Sequence, residues 1–250
     1  METVKRKPFQ GVRNIVRFNW HFYVLALALL VAAITGRRFL NPPVDQLVLL
    51  FAFAALSGML ISLLVSWYVY DKSDLYSLTF LNALNISAGA KLVNINAGFD
   101  ETSAIIQSKY PEASLTVFDF YDPAKHTEVS IERARKAYPP FPGTKIIQSA
   151  AIPLEENSAD VIFLILAAHE IRDDEERAAF FRQLKNALKS EGEIVVVEHL
   201  RDFNNFFAYN FGFFHFHSHA TWLKTFSEPG LKIVSETKHT PFLSLFILQK

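Results

Sequence analysis

KLVNINAGFDETSAIIQSKYPEASLTVFD, residues Lys91 to Asp119, divides into an apolar run of strand length, a turn of small residues, a helical stretch and a second strand closed by a carboxylate. That order is the front half of a βαβ unit. Gly98, in the turn Asn96-Ala97-Gly98, lets a ligand approach the backbone, and the helix behind it offers N–H groups that have no intrahelical partner. Asp119 falls about 20 residues further on, where such units place the acid that takes ribose hydroxyls. A nucleotide-like ligand is therefore the first expectation.

Downstream, strands and helices alternate. Asp100 is expected to cap a helix running to about Lys109, Pro111 ends it, and Leu115 to Phe118 reads as strand two. Pro123 to Tyr138 is predicted to be a helix, stopped by Pro139-Pro140-Phe141-Pro142-Gly143, and Lys145–Gln148 a third strand. DVIFLIL, Asp160 to Leu166, is a continuous apolar run, as a central parallel strand covered on both faces requires. Asp173 caps an amphipathic helix to Leu188, Gly192 is a stop, and Glu193 to Val197 is strand five. This alternation predicts a doubly wound, mostly parallel sheet. After a helix from Ser218 to Phe226, Leu231 to Thr237 and Phe242 to Leu248 are too close in sequence to be parallel and pair as an antiparallel hairpin or a bent edge.

Upstream, two runs carry no Asp, Glu, Lys or Arg: Trp20 to Thr35 and Leu47 to Tyr70. As helices they measure roughly 24 and 36 Å, against a bilayer core of about 30 Å. A signal peptide is the competing account of the first run. The second run following at once favours a retained hairpin, turned at Asn41, Pro42 and Pro43. The domains are expected as 1–72, a basic segment with transmembrane spans at about 20–35 and 47–70; 73–90, a linker helix with leucines at 75, 78, 81 and 84; and 91–250, the α/β domain. Lys5, Arg6, Lys7, Arg13 and Arg17 precede the first span, so the positive-inside rule puts the N-terminus, and with two spans the large domain, on the cytoplasmic side. The hairpin could also mediate a homo-oligomer.

Formal net charge is zero over 250 residues, but residues 1–40 hold seven Lys/Arg against one Glu, leaving about −6 for the rest. The basic end suits the lipid bilayer, while the acidic remainder argues against nucleic acid as a partner. The chain has no cysteine. Disulfides, thiolate nucleophiles and Cys-ligated zinc are excluded.

From Lys91 to the C-terminus, about 160 residues, the chain resembles the class I S-adenosylmethionine-dependent methyltransferases. LVNINAGFDETS stands where that family has its glycine-rich first motif, Asp119 where it has the ribose-binding acid, and IPLEENSADVIFLILAAHEI where many members have a proline-containing loop, an Asp before strand four and a His at its end. LKNALKSEGEIVVVEHL looks like the helix, glycine turn and strand five, and the final strand pair replaces the sixth parallel strand of dehydrogenases. The first motif departs from the pattern, with Asn94 for the usual acid and Asn96 and Asp100 for two glycines. The resemblance implies a seven-stranded sheet with an antiparallel last strand, S-adenosylmethionine as cofactor, and a cofactor site of Asn94, Asn96, Ala97, Gly98, Asp100, Asp119, Phe120, Gln148 and Ser149. Gln148 falls where members have an Asp that reads the adenine amino group.

Methyl transfer needs donor and acceptor aligned and, for a hydroxyl acceptor, a proton removed. Residues beyond the carboxyl ends of parallel strands are the candidates. His169 and Glu170 follow strand four, and His199 follows strand five. His169 is the first choice of base and His199 the second, on the ground that imidazole titrates near neutral pH; the bland alternative for each is a histidine that satisfies a loop or helix cap. Glu198, Phe207, Tyr209, Phe214 and His217 are the expected substrate pocket, because eight aromatics crowd residues 203–216. These could form an apolar acceptor channel, dip into the membrane interface, or pack as core. The alternating histidines of FHFHSH fix no ligand geometry, so no metal is expected. The expected function is membrane-anchored methylation, at oxygen, of a lipophilic small molecule or lipid. Its rivals are a membrane-bound nicotinamide oxidoreductase, whose Tyr121-x-x-x-Lys125 lies in the wrong place, and a non-catalytic membrane scaffold.

Overall fold

In the computed structural model, residues 6–250 are described; Lys5 lies outside the described residues. Seven strands, β1 (Lys91–Asn96), β2 (Ser114–Asp119), β3 (Lys145–Ile146), β4 (Ala159–Ile165), β5 (Leu188–His199), β6 (Lys232–Thr240) and β7 (Leu243–Gln249), form one sheet in the order β3-β2-β1-β4-β5-β7-β6. β1 pairs parallel with β2 and β4, and β4 with β5. β7 runs antiparallel to both β5 and β6, so the last two strands form the hairpin. The apolar run of β4 is central: Ile162, Phe163 and Leu164 are fully buried. One face of the sheet packs Phe180, Phe181, Trp222 and Phe226 from α5 (Asp174–Ala187) and α7 (His219–Ser227). Asp173 and Ser218 cap those helices, accepting from Glu176 N and Thr221 N.

The other face is covered by the segment expected as a linker helix. It forms two 3-10 turns, Asp74–Ser77 and Thr79–Ala83, with Leu75, Leu78, Leu81 and Leu84 buried against the sheet. The leucines recur every three residues, which is the period of a 3-10 helix and not of an α-helix. Two other helices are shorter than expected. α3 (Ser103–Lys109) begins at Ser103, although Asp100 Oδ1 still accepts from Thr102 N and Ser103 N at 3.0 and 2.9 Å. α4 (Val129–Ala137) starts six residues after Pro123. β3 stops at Ile146, and Gln148 instead bridges to Ala151.

The N-terminal segment is a helical hairpin, α1 (Gln10–Gly36) and α2 (Val44–Trp67), continued by a π-helical turn at Tyr68–Lys72. Both helices are long and apolar enough to cross a membrane. α1 extends well before the apolar run and has non-helical dihedrals at Asn19. Its first turns are docked on the domain, where Gly11, Asn14 and Phe18 are buried, whereas Phe22, Leu25, Leu29 and Val31 are exposed. Docking is close: a Cβ on Gly11 would sit 2.4 Å from Tyr70 Cβ, and Asp71 accepts from Gly11 N and Val12 N at 2.7 and 2.8 Å. These bonds satisfy N–H groups that the start of α1 would otherwise leave open.

Candidate active site

A cavity of about 260 Å³ lies beyond the carboxyl ends of the parallel strands. Its floor is the first-motif turn, with Asn96, Ala97, Phe99 and Thr102, and the strand ends Leu166, His169, Glu170 and His199. Ser130 and Ile131 of α4 form one wall. The roof is the docked part of α1, through Asn14, Ile15 and Phe18. Leu166 takes a left-handed φ of 54°. That costs energy for a branched side chain, and the turn it makes carries His169 to the floor.

His169 is held by carboxylates. Its Nδ1–H donates to Glu198 Oε2 at 2.6 Å, and Glu198 Oε1 accepts from the backbone N–H of Ala167 and of His169, both at 3.2 Å. Glu198 is completely buried, so it acts through the imidazole rather than on a ligand. His169 Nε2 lies 3.4 Å from Glu170 Oε1, which is also 3.5 Å from His215 Nε2, and His215 Nδ1 is 3.0 Å from Glu128. Burial opposes the charge on His169, but Glu198 and Glu170 outweigh it and push its pKa up to about 10. His215 is raised as well: burial lowers it, and hydrogen bonds to Glu128 and Glu170 more than reverse that. Glu170 is driven well below the ordinary carboxylate range by the two histidines, against the opposing effect of burial. His169, Glu170 and His215 place three ligand-type atoms within 4.8 Å of one another, a composition that a divalent cation accepts. The same atoms also satisfy one another through shared protons.

His199 is arranged in the opposite sense. Burial, with the His169 charge adding to it, pulls its pKa down to about 4, so the ring is neutral. Nδ1 faces two acceptors, Asn205 Oδ1 at 3.1 Å and Phe242 O at 3.0 Å, and therefore carries the hydrogen. Nε2 then accepts from the Tyr70 hydroxyl at 2.9 Å. The ring is stacked on Phe216, centroids 4.8 Å apart, and meets Tyr209 edge-on. Neither histidine titrates near neutrality, the property on which the sequence reading had selected them.

The first motif keeps its turn without its glycines. Asn96 Oδ1 accepts from Gly98 N at 3.1 Å, while Asn96 Nδ2 donates to Phe118 O, so one side chain closes the turn and ties β1 to β2. Asn94 Nδ2 donates to the hydroxyls of Thr102 and Ser103, anchoring the start of α3. Gly98 has φ +98° and is the one position where glycine remains. Asp119 Oδ1 accepts from Tyr121 N at 2.9 Å, and its Oδ2 is taken by the Arg135 guanidinium, which lies over the Tyr121 ring. Asp100, Asp119, Gly98 and Arg135 border a second, smaller cavity of about 70 Å³.

S-adenosylmethionine presents a carboxylate and an ammonium at one end and a ribose at the other. Of the buried polar atoms without a partner among the described residues, three lie at or beside these two cavities: Asn14 Nδ2 in the wall of the first, Arg6 Nη2 on a guanidinium bonded to the cavity residue Glu101, and Asp100 Oδ2 at the smaller one. Two donors and one acceptor match an amino-acid group. Glu101 itself accepts from Arg6 and Tyr76, both at 2.7 Å. The residues fit the cofactor at this end, and at the ribose end Asp119 is available once Arg135 moves aside.

Of the expected site residues, Asn96, Ala97, His169, Glu170 and His199 meet at the main cavity, and Asp100, Gly98 and Asp119 at the smaller one. Asn94 and Glu198 stand directly behind them, and Tyr209 supports His199. Six others are elsewhere. Phe120 is buried against Phe180, Gln148 is exposed, and the Ser149 hydroxyl donates to Glu176. His217 accepts from buried Arg177 at 3.1 Å, and Phe207 and Phe214 face outward. The sequence reading missed Asn14, Tyr70, Glu128, Arg135 and His215 as site residues. Each comes from an element that touches the strand ends only in three dimensions.

Sheet order and antiparallel β7, with the family match below, define a class I S-adenosylmethionine-dependent methyltransferase, with S-adenosylmethionine as its cofactor. Solved structures share the fold: a SAM-dependent methyltransferase from Methanosarcina mazei, 15% identical over 66% of this chain and 94% of that one, superposes with a TM-score of 0.50. Another from Aquifex aeolicus is 14% identical over 76% of this chain and 97% of that one, with a TM-score of 0.51. No curated protein matches the sequence. The model of the O-methyltransferase domain family matches residues 59–208, and the chain belongs to that family.

Proposed function

We propose that this methyltransferase is anchored in a membrane by its N-terminal hairpin and methylates an oxygen of a lipophilic small molecule or lipid, with His169 as the base. The observation that carries this reading is the His169 to Glu198 pair, 2.6 Å long, at the end of a cavity roofed by Ile15 and Phe18 of the anchor helix itself. An apolar acceptor is desolvated by such a roof, and its hydroxyl is left facing the polar floor. When bound, S-adenosylmethionine supplies an electrophilic methyl group on a positively charged sulfur. Arg6, Asn14, Glu101 and the Asn96 to Gly98 turn would hold it, with Asp119 on the ribose. His169 in its neutral form takes the acceptor proton at Nε2, and the buried Glu198 carboxylate steadies the imidazolium that results. Glu170, 3.4 Å from the same nitrogen, faces its hydrogen once the proton has been taken. Neutral His199 takes the Tyr70 hydroxyl hydrogen and leaves the Tyr70 oxygen beside the cavity as a fixed acceptor.

The test is methyl transfer from deuterated S-adenosylmethionine by protein in nanodiscs supplied with a total lipid extract, followed by mass spectrometry. The expected product gains one labelled methyl group on a hydroxyl, and His169→Ala lowers its yield at least 100-fold while cofactor binding by calorimetry persists. Binding without transfer to any extract component would leave a scaffold in place of an enzyme. No binding at millimolar cofactor would overturn the cofactor site.

A further inference from the structure

The domain grips the hairpin as far as His21 on α1 and Gly58 on α2. Arg133 of α4 donates to Phe18 O and contacts His21 Nδ1 at 2.6 and 2.7 Å. On the opposite helix, α6 (Phe203–Tyr209) packs against α2, and Asn210 Nδ2 donates to Gly58 O at 3.4 Å. A Cβ on Gly58 would come within 3.2 Å of that amide, so the two segments are in close contact there. Beyond these contacts α1 continues to Gly36, where Arg37 and Arg38 begin the tip, and α2 begins at Val44, which leaves about 21 Å of α-helix below the tip at 1.5 Å per residue. A bilayer core of about 30 Å is roughly 9 Å deeper than that.

At the base of the protruding hairpin, α6 and the 3-10 segment after it carry Phe203, Phe207, Phe211 and Phe214, which are 75%, 57%, 89% and 58% exposed. Phe203 and Phe207 pack on each other, centroids 4.8 Å apart, and Phe206 on Phe213 at 5.4 Å; none of these rings belongs to the buried clusters on either face of the sheet. Arg201 donates to Phe214 O and Phe216 O and pins the segment to the end of β5. This apolar surface continues the exposed face of α2, with Phe51, Phe53 and Leu56. It also leads straight to His215 and Phe216, which line the cavity.

We propose that residues 203–214 form an aromatic collar that sinks the domain into the near leaflet, its occupant being the hydrocarbon and headgroup boundary of the bilayer. Immersion by 5–10 Å is the usual depth of an interfacial apolar surface and covers the missing length of the hairpin. The collar also sets the wall of the active site at the level of the acyl chains, so a lipophilic acceptor enters without crossing water. This rests on the reading of the hairpin as a membrane anchor.

The chain has no cysteine, so single sites can be labelled with an environment-sensitive fluorophore directly. Phe203→Cys and Phe211→Cys report the collar, Leu29→Cys the hairpin, and Glu191→Cys the start of β5, at the opposite end of the sheet from the site. Each labelled protein is placed in phosphatidylcholine nanodiscs containing lipids with a nitroxide at a shallow or a deep acyl carbon. The expected result is at least twofold quenching of both collar sites by the shallow nitroxide, of Leu29→Cys by the deep one, and none at Glu191→Cys. Quenching at Leu29→Cys with both collar sites like Glu191→Cys overturns the collar and leaves the anchor standing. No quenching at Leu29→Cys removes the anchor and the collar together. All four positions are exposed or lipid-facing, so folding is not at stake, and the two collar sites check each other.

Discussion

Glu198 does more for this site than any residue that lines it. Completely buried, it fixes which nitrogen of His169 carries the hydrogen and holds the ring charged over most of the pH range. The groups facing His169 are Glu198 from β5, Glu170 beside it, and His215 with Glu128 behind it; the charged His169 in turn depresses His199. Since the base must be neutral, kcat/KM is expected to rise with pH through the neutral range and level off only near a pKa of about 10. Glu198→Gln removes the strongest opposing charge, so the limb should move toward acid by more than one pH unit while the maximum rate falls; a pH-rate profile of both proteins decides it. The stabilising effect of the pair has its own pH window. His169 is raised above its unfolded value, so its contribution is complete below about pH 6.5 and is lost as pH climbs through about 10. Arg135 yields a second prediction. It occupies an oxygen of Asp119, the proposed ribose acid, so Arg135→Ala should bind S-adenosylmethionine three- to tenfold more tightly by calorimetry, and Asp119→Ala more weakly. The acid and the histidines were legible in the sequence because they end strands. Arg135 was not, since a helix residue 16 positions after Asp119 reads as a solvated charge until the helix is seen lying across the strand end.

The elements that matter most for function are those that the sequence places outside the α/β domain. α1 roofs the cavity and is the proposed anchor, and one carboxylate holds its start in place: Asp71, on the π-helical turn, caps α1 through Gly11 N and Val12 N. Losing an anionic cap costs about 1–2 kcal/mol. Asp71→Ala should therefore lower the thermal midpoint by several degrees and raise the KM for cofactor several-fold, because Asn14 and Phe18 lose their fixed position over the cavity. Asp71→Asn, which keeps one acceptor, should recover part of both. Strand order and the helices on the Trp222 face follow from apolar runs and caps that sequence displays directly. The docked part of α1 does not. Residues 10–19 mix basic, polar and apolar side chains, and their one buried stripe, Gly11, Asn14 and Phe18, contains a single large apolar residue. Likewise the leucines at 75, 78, 81 and 84 repeat every three residues, the 3-10 period, but that a linker of such turns would cover one face of the sheet is visible only from their burial against it.

At the scale of the whole molecule, the arrangement to be explained is a cavity walled by a helix that is long and apolar enough to cross a membrane. The two ends of the hairpin meet each other, with Phe9 stacked on Trp67 and Gly11 against Tyr70, and α1 docks on the domain through Phe18 O and Asn14, so the start of α1 and the catalytic domain share one side of any bilayer the hairpin crosses. Arg37 and Arg38 lie at the tip, followed by exposed Phe39 and Leu40. On the domain side Lys7, Arg13 and Arg17 are joined by Arg133, which lies over Trp20 at the hairpin base. The larger cationic cluster is thus on the domain side, and the positive-inside rule assigns that side to the cytoplasm. In intact cells, Phe39→Cys should react with a membrane-impermeant maleimide added from outside, and Glu191→Cys only after permeabilisation. The reverse pattern would put catalysis on the outer face, away from cytoplasmic S-adenosylmethionine. Protection of both sites until detergent is added would mean that the tip ends within the bilayer; the two arginines make that costly, at about 2.5–3.5 kcal/mol each near the centre. The hairpin's short reach makes this a demanding test, because Phe39 arrives at the far headgroups only if the domain is drawn down to meet them.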